Sequence, residues 1–361
     1  MNFYVVLTVI LAILLMFNRE YSLKTGLFIS VLLCFLSAFR GEKVGHDTAS
    51  YIDIAYIQQR ADSSLGSLSD FTDIDTSVEF IANALSSIVC HLGLNGRWMI
   101  VFYAIIMIVF MYMSCKRLNV SPTYTMAFFV VLGFYFYSLS ACRQICAVSV
   151  IMYAMTYLNE EDRSSRYFFL WIVVAAMIHS MSFICLPLYF VRKLPQYISY
   201  RTLGWSFFVI SLFLTLVKID FLNQLSILAS SDHLSSYLEE YGQSSTSLSS
   251  IAGCWIETGC LFYFFMLKKY MDEDEQMTVF DYLFLISMLI SAALLQYDGL
   301  VARVKYNVII MQCYYLASLF EREGVWHYKL NLIVLAFMML RVAKNYFFEV
   351  ALESDYYLCF F

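Results

Sequence analysis

The sequence predicts an all-α fold, a polytopic integral membrane helix bundle. Three observations carry that prediction. Of 361 residues, 61% are hydrophobic and only 14% charged, whereas a soluble domain is about half apolar and a quarter charged. Mean hydropathy is +0.69. The apolar residues come in unbroken runs, not in alternation, which argues against a transmembrane β-barrel. So much apolar surface needs lipid as its solvent. It excludes a soluble enzyme, a secreted disulfide scaffold and a disordered chain.

A spanning helix needs roughly 20 apolar residues. Runs of that kind cover 2–18, 25–39, 97–114, 123–139, 143–158, 202–219, 254–267, 279–296, 304–320 and 330–347. The first lacks a basic flank and a cleavage site, so it reads as an uncleaved helix and not a signal peptide. Basic residues in short loops mark the cytoplasmic side. They are Arg19 and Lys24, Lys116 and Arg117, Arg163 and Arg166, Arg192, Lys193 and Arg201, then Lys268 and Lys269. The acidic, Ser-rich connections 40–96 and 220–253 then fall outside as extracytoplasmic loops.

Two inferences follow from that orientation. Residues 78–95 cannot cross, or Lys116 and Arg117 would face outward; they read as a re-entrant or interfacial helix. Residues 167–191 lie between basic loops, so they read as a hairpin of two short helices with His179 near its tip. One long tilted helix is the alternative. The total is about twelve crossings, give or take two, in a single membrane domain spanning 1–361, with both termini outside.

Charge and cysteines narrow the function. Lys and Arg number 23 and Asp and Glu 28, a net −5, with no basic block for nucleic acid. The ten cysteines sit mostly in apolar runs, where a free thiol behaves as a small hydrophobe. Cys142 and Cys146 are one turn apart, but no second pair has metal-ligand spacing, so neither metal nor cofactor is expected.

Charged residues at membrane depth need partners and point to function. Asp47, after Gly45, reads as a cap with Thr48 for a helix in which Tyr51 and Ile54 share a face, or as a carboxylate at the bundle mouth. Glu79 opens the 78–95 helix, where the dipole favours it; it also suits a general acid or base. Arg143 and Gln144 begin an apolar helix. Snorkelling is one explanation, and a bidentate fork for phosphate oxygens the other. His179 in AAMIHSMSF either bonds a neighbouring carbonyl or carries a proton. Arg303 starts another apolar run, with Tyr306 on its face. Arg40, Arg143 and Arg303 together would make an anion site suited to a lipid head group.

In order, these residues form a pattern: Arg40 followed by GHDTASY, Glu79 in SVEFIANAL, Arg143 and Gln144 in CRQICAVSV, His179 in AAMIHSMSF, then Arg303 and ESDYYLCFF. The ordered set, across nearly the whole chain, resembles the EpsG family of Wzy-like polysaccharide polymerases. Cys142 departs from it, standing where an apolar residue is commoner.

The resemblance implies a membrane glycosyltransferase on the outer face of a bacterial inner membrane. It would polymerise undecaprenyl-diphosphate-linked oligosaccharide repeat units into capsule, exopolysaccharide or O-antigen, and leaves room for a chain-length regulator as partner. Arg143, Gln144, Arg40, Arg303 and Tyr51 would bind diphosphate and sugar. Glu79, Asp47 and His179 are the candidates for the base or orienting acceptor of the acceptor hydroxyl. The rivals are an O-antigen ligase and a lipid-linked oligosaccharide flippase or transporter. Internal pseudo-symmetry, which a transporter would show, is not evident in the sequence.

Overall fold

The computed structural model describes residues 23–45, 47–65, 79–159, 162–194, 198–216, 248–271, 276–295 and 304–322, together with 325, 331 and 336. The expected span 2–18, nearly all of 330–347, residues 220–247 of the second long connection, and Arg303 lie outside them. The described residues are helical, with no strand among them. The chain divides into two compact units. One comprises Met1–Tyr189 with Leu316–Phe361, the other Phe190–Tyr315.

The first unit holds α1 (Leu23–Ala38), α2 (Thr48–Ile52), α3 (Ile54–Leu65), α4 (Phe80–His91) and α5 (Arg97–Leu118). Then come α6 (Pro122–Val131), α7 (Phe134–Ser140), α8 (Cys142–Met155) and α9 (Asp162–Ile178). A 3₁₀ helix, Ser180–Lys193, follows. At 22 residues, α5 is about 33 Å long, enough for a hydrocarbon core of about 30 Å. It ends where Asn119 turns left-handed at φ 53°, and Pro122 opens the next helix. Both choices follow from backbone chemistry, since Asn tolerates that region and Pro suits a first turn.

The other elements run alongside α5. Arg97 Nη1 donates to the carbonyl of Arg40, so the end of α1 and the start of α5 are tied together. Both ends of the 40–96 connection therefore lie at one end of the bundle. Helix α4, with 12 residues, is about 18 Å long and too short to span. It packs mainly on α3.

At the far end of α5, Arg117 lies 3.6 Å over the Tyr157 ring, just past α8. Helix α8 thus runs from the Arg97 end to the Lys116 end beside α5, and its residues are almost all buried. Tyr167 of α9 meets Tyr157 there, with ring centroids 5.5 Å apart. Helix α9 climbs back to His179, where the chain reverses. Tyr189 packs against Phe169 at 4.6 Å and its hydroxyl reaches Ser165 at 3.5 Å, so 162–189 forms a hairpin with His179 at its tip.

One expected span is corrected. Residues 123–139 are not a straight helix: α6 and α7 meet at a 63° bend. Gly133, at φ 85°, makes the break, a conformation that favours glycine. A second correction concerns α2, which stops at Ile52, with Asp53 extended. Tyr51 and Ile54 therefore sit on separate helices.

The second unit contains α10 (Tyr200–Leu214), α11 (Leu248–Met271), α12 (Val279–Ala293), α13 (Tyr306–Ile309) and the first half of α14 (Met311–Phe320). Gly204 near the start of α10 abuts Phe265 near the end of α11, while Trp255 Nε1 donates to Thr215 Oγ1 at 2.7 Å at their other ends. The two are antiparallel. Lys269 pairs with Asp281 at 2.5 Å, and Asp281 forms a capping box with Thr278. Arg201, Lys268 and Lys269 thus share one end of this unit.

By length and composition, two described helices can cross a membrane alone, Arg97–Leu118 and Ser250–Met271. The bent α6–α7 pair makes a third if it counts as one span, and seven shorter apolar helices remain. The expected total of about twelve crossings belongs to the proposal below.

Candidate functional site

At the Arg97 end of the first unit, four chain segments converge on one carboxylate. Glu79 is the N-cap residue of α4, yet its side chain makes no capping bond. It turns inward and is 4% exposed. Its Oε2 accepts from Arg60 Nη2 at 2.7 Å and from Arg143 Nη1 at 2.5 Å. Its Oε1 accepts from the Ser180 N–H at 3.2 Å and lies 3.9 Å from His179 Nδ1. Helix α3 brings Arg60, the first turn of α8 brings Arg143, and the hairpin tip brings His179 and Ser180.

Tyrosines stand beside this carboxylate's partners. Arg60 Nη1 donates to the Tyr56 hydroxyl at 3.0 Å. Tyr56 meets Tyr51 edge-on at 6.5 Å, and Tyr51 meets Tyr103 at 6.1 Å. Burial pushes the Tyr51 phenol well above its ordinary value, against the opposing pull of the Arg143 guanidinium. Burial thus favours the neutral phenol at Tyr51. The Nε of Arg143 is buried and has no hydrogen-bond partner.

A second cluster stands beside the first. Arg40 is fully buried. Its Nε donates to Thr48 Oγ1 at 3.0 Å and its Nη1 to the Ser37 carbonyl at 2.8 Å. The Thr48 hydroxyl lies 3.1 Å from the Leu139 carbonyl, linking this loop to the end of α7. Gly45, at φ 86°, touches the same carbonyl so closely that a Cβ would strike it. Arg40, Arg97, Thr48 and Gly45 thus brace the loop against the α7–α8 junction from which Arg143 projects.

The electrostatics of the two clusters favour an anion. Arg40, Arg60 and Arg97 are buried, and the Arg143 side chain is 17% exposed. Among the described residues, Glu79 is the buried carboxylate that meets Arg60 and Arg143. At Glu79 itself, two guanidiniums against one carboxylate leave a surplus of one positive charge. Such a surplus is costly in a low-dielectric setting until an anion joins it.

Of the residues picked from the sequence, Glu79, Arg143 and His179 come together. Tyr51 lies in their aromatic surround. Gln144 is adjacent in sequence but buried toward α7, where its Oε1 accepts from the Tyr137 hydroxyl at 3.4 Å. Asp47 begins α2 without a side-chain capping bond and is half-buried. Its charge is felt at Tyr51. Arg40 contacts Ser37 and Thr48, and its Nη2 is buried with no hydrogen-bond partner. No group of three His, Cys, Asp or Glu side chains among the described residues is placed to hold a metal.

Arg60 and Arg97 escaped the sequence reading. Arg60 sits in IAYIQQRADSSL, a polar stretch that reads as a solvated loop. The one local signal is Tyr56, four residues before Arg60, the spacing of helical neighbours. Arg97 reads as an interfacial anchor, and nothing in the sequence marks its bond to Arg40.

No curated protein and no solved structure was found to match the chain. The sequence profile described as the EpsG family matches residues 23–358. With nearly its whole length matched, the chain belongs to the EpsG family.

Proposed function

We propose that the protein polymerises lipid-linked oligosaccharide repeat units on the outer face of a bacterial inner membrane. The observation that carries this reading is the meeting of Arg60, Arg143 and His179 at Glu79. It lies at the end of α5 opposite Lys116 and Arg117. Basic residues favour the cytoplasmic side, so the cluster faces outward. The 40–96 connection then lies outside, and the shorter helices join the long ones in a bundle of about twelve crossings.

The substrate would be a saccharide on undecaprenyl diphosphate. An acceptor hydroxyl attacks the anomeric carbon of the donor chain. A new glycosidic bond forms as the bond to the diphosphate breaks, and the leaving group departs with the electron pair. Its charge rises by one unit at that moment. Preorganised guanidiniums stabilise such developing charge best where water is scarce. Arg143 is placed for this task at the head of α8, and its unpaired Nε leaves capacity for a phosphate oxygen. The hydroxyl proton goes to His179, whose Nδ1 faces Glu79. A carboxylate that closes on Nδ1 would orient that base.

An O-antigen ligase would use similar chemistry on a lipid-core acceptor, and a transporter would bind without forming a bond. A strain lacking this protein separates the three. A lost polymerase leaves single repeat units on the lipid carrier. A lost ligase leaves long lipid-linked polymer, and a lost transporter leaves substrate in the inner leaflet. Single repeat units support the proposal; either other pattern refutes it.

A further inference from the structure

We propose that Arg60 and Arg143 form one diphosphate clamp, and that Glu79 is its exchangeable internal counter-ion. This rests on the polymerase reading and assigns Arg60 a binding role.

The geometry points to an exchange. Both guanidiniums converge on a single oxygen, Glu79 Oε2, at 2.7 and 2.5 Å. That is how two arginines meet one phosphate oxygen. Each also has a buried Nε, and Arg143 Nε makes no hydrogen bond. A diphosphate diester carries two negative charges where the carboxylate carries one. It therefore offsets the charges of both Arg60 and Arg143, where the carboxylate offsets one.

The other carboxylate oxygen shows where Glu79 goes when displaced. Oε1 is already tethered to the Ser180 N–H. At 3.9 Å from His179 Nδ1, it is too far for a hydrogen bond, whose donor–acceptor distance is about 2.7–3.2 Å. Meanwhile the Met181 N–H points at that same nitrogen at 3.4 Å, an arrangement that suits a bare Nδ1 and a proton on Nε2. While the arginines hold Oε2, Glu79 cannot close on the imidazole. Once a diphosphate takes the arginines, the carboxylate is free to pivot about Ser180 and accept from Nδ1–H. Nε2 is then the bare nitrogen and receives the acceptor hydroxyl's proton. Imidazolium and carboxylate end as a pair, and the departing diphosphate keeps the glycosidic electrons. Filling the clamp thus creates the base, so acceptor activation waits for the donor.

The test is inorganic pyrophosphate binding to the purified full-length protein in nanodiscs, read by calorimetry. An internal competitor lowers apparent affinity by the fraction of time it occupies the site. Glu79→Gln removes the competing charge and is expected to tighten binding about tenfold, which corresponds to the carboxylate occupying the clamp about nine-tenths of the time. The same variant loses polymer. Arg60→Gln keeps the Arg143–Glu79 pair and is expected to weaken binding at least about tenfold, with Arg60→Lys restoring part of it. Unchanged or weaker binding in a folded Glu79→Gln protein overturns the exchange. Should that variant fail to fold, unchanged binding in Arg60→Gln overturns it alone. Normal polymer in a strain lacking the protein, with both binding shifts present, would sink the polymerase reading and leave the clamp standing.

Discussion

The Glu79 carboxylate and the Arg143 guanidinium meet at 2.5 Å across 64 residues of sequence. Neither residue is unusual alone. Glu79 looks like a helix start and Arg143 like an interfacial arginine. Their contact turns both into parts of one buried ionic cluster, with Arg60 and His179 as the other members.

Arg143 is expected to tolerate no replacement. Losing a charge-stabilising donor of this kind costs about 10²–10³ in rate. Lysine keeps the charge but loses the planar fork. Arg143→Ala and Arg143→Lys should both abolish polymer while the protein stays in the membrane. Gel analysis of polymer beside an immunoblot of membranes checks this. Normal polymer in the lysine variant would contradict a fork-like contact.

Arg40 and Arg97 should behave differently. Their guanidiniums hold Ser37, Thr48 and the Arg40 carbonyl, not the Glu79 cluster. Leaving buried acceptors without their donor costs about 1–3 kcal/mol each. Arg40→Ala and Arg97→Ala are therefore expected to lower membrane abundance and the thermal midpoint in detergent. A fully stable but inactive Arg40→Ala protein would instead place Arg40 on the substrate.

Two glycines offer a matched comparison. Gly45 and Gly93 both have positive φ, a conformation that costs an L residue about 1–3 kcal/mol. A Cβ at Gly45 would also run into the Leu139 carbonyl, while at Gly93 nothing lies within 4 Å. Gly45→Ala should lose polymer and stability; Gly93→Ala should lose a little stability only. Thermal melts with polymer yield measure both.

These contrasts show what the sequence carried. The long apolar run of α5, and the basic residues at its end, are local facts and were legible. So was the reversal at His179, which basic loops on both sides of 167–191 favour over one long tilted helix. The bend at Gly133 was hidden inside a continuous apolar run, which has the same composition whether straight or broken. Arg60 was hidden for the opposite reason. Its neighbours are polar, and its burial depends on α4 and α8, which arrive from 19 and more than 80 residues away.

The orientation is open to direct measurement. Alkaline phosphatase, active only outside the cytoplasm, is expected to be active when fused after Gly93 and inactive when fused after Asn119. The reverse pattern would put the Glu79 cluster on the cytoplasmic side and exclude the proposed polymerisation there.

The most direct test uses purified protein in nanodiscs, supplied with lipid-linked repeat units and no other protein. The wild type is expected to convert them into a ladder of lipid-linked oligomers, and the Arg143→Lys variant to return them unchanged. Repeat units left single by the folded wild type, or a ladder made by the lysine variant, would contradict the account.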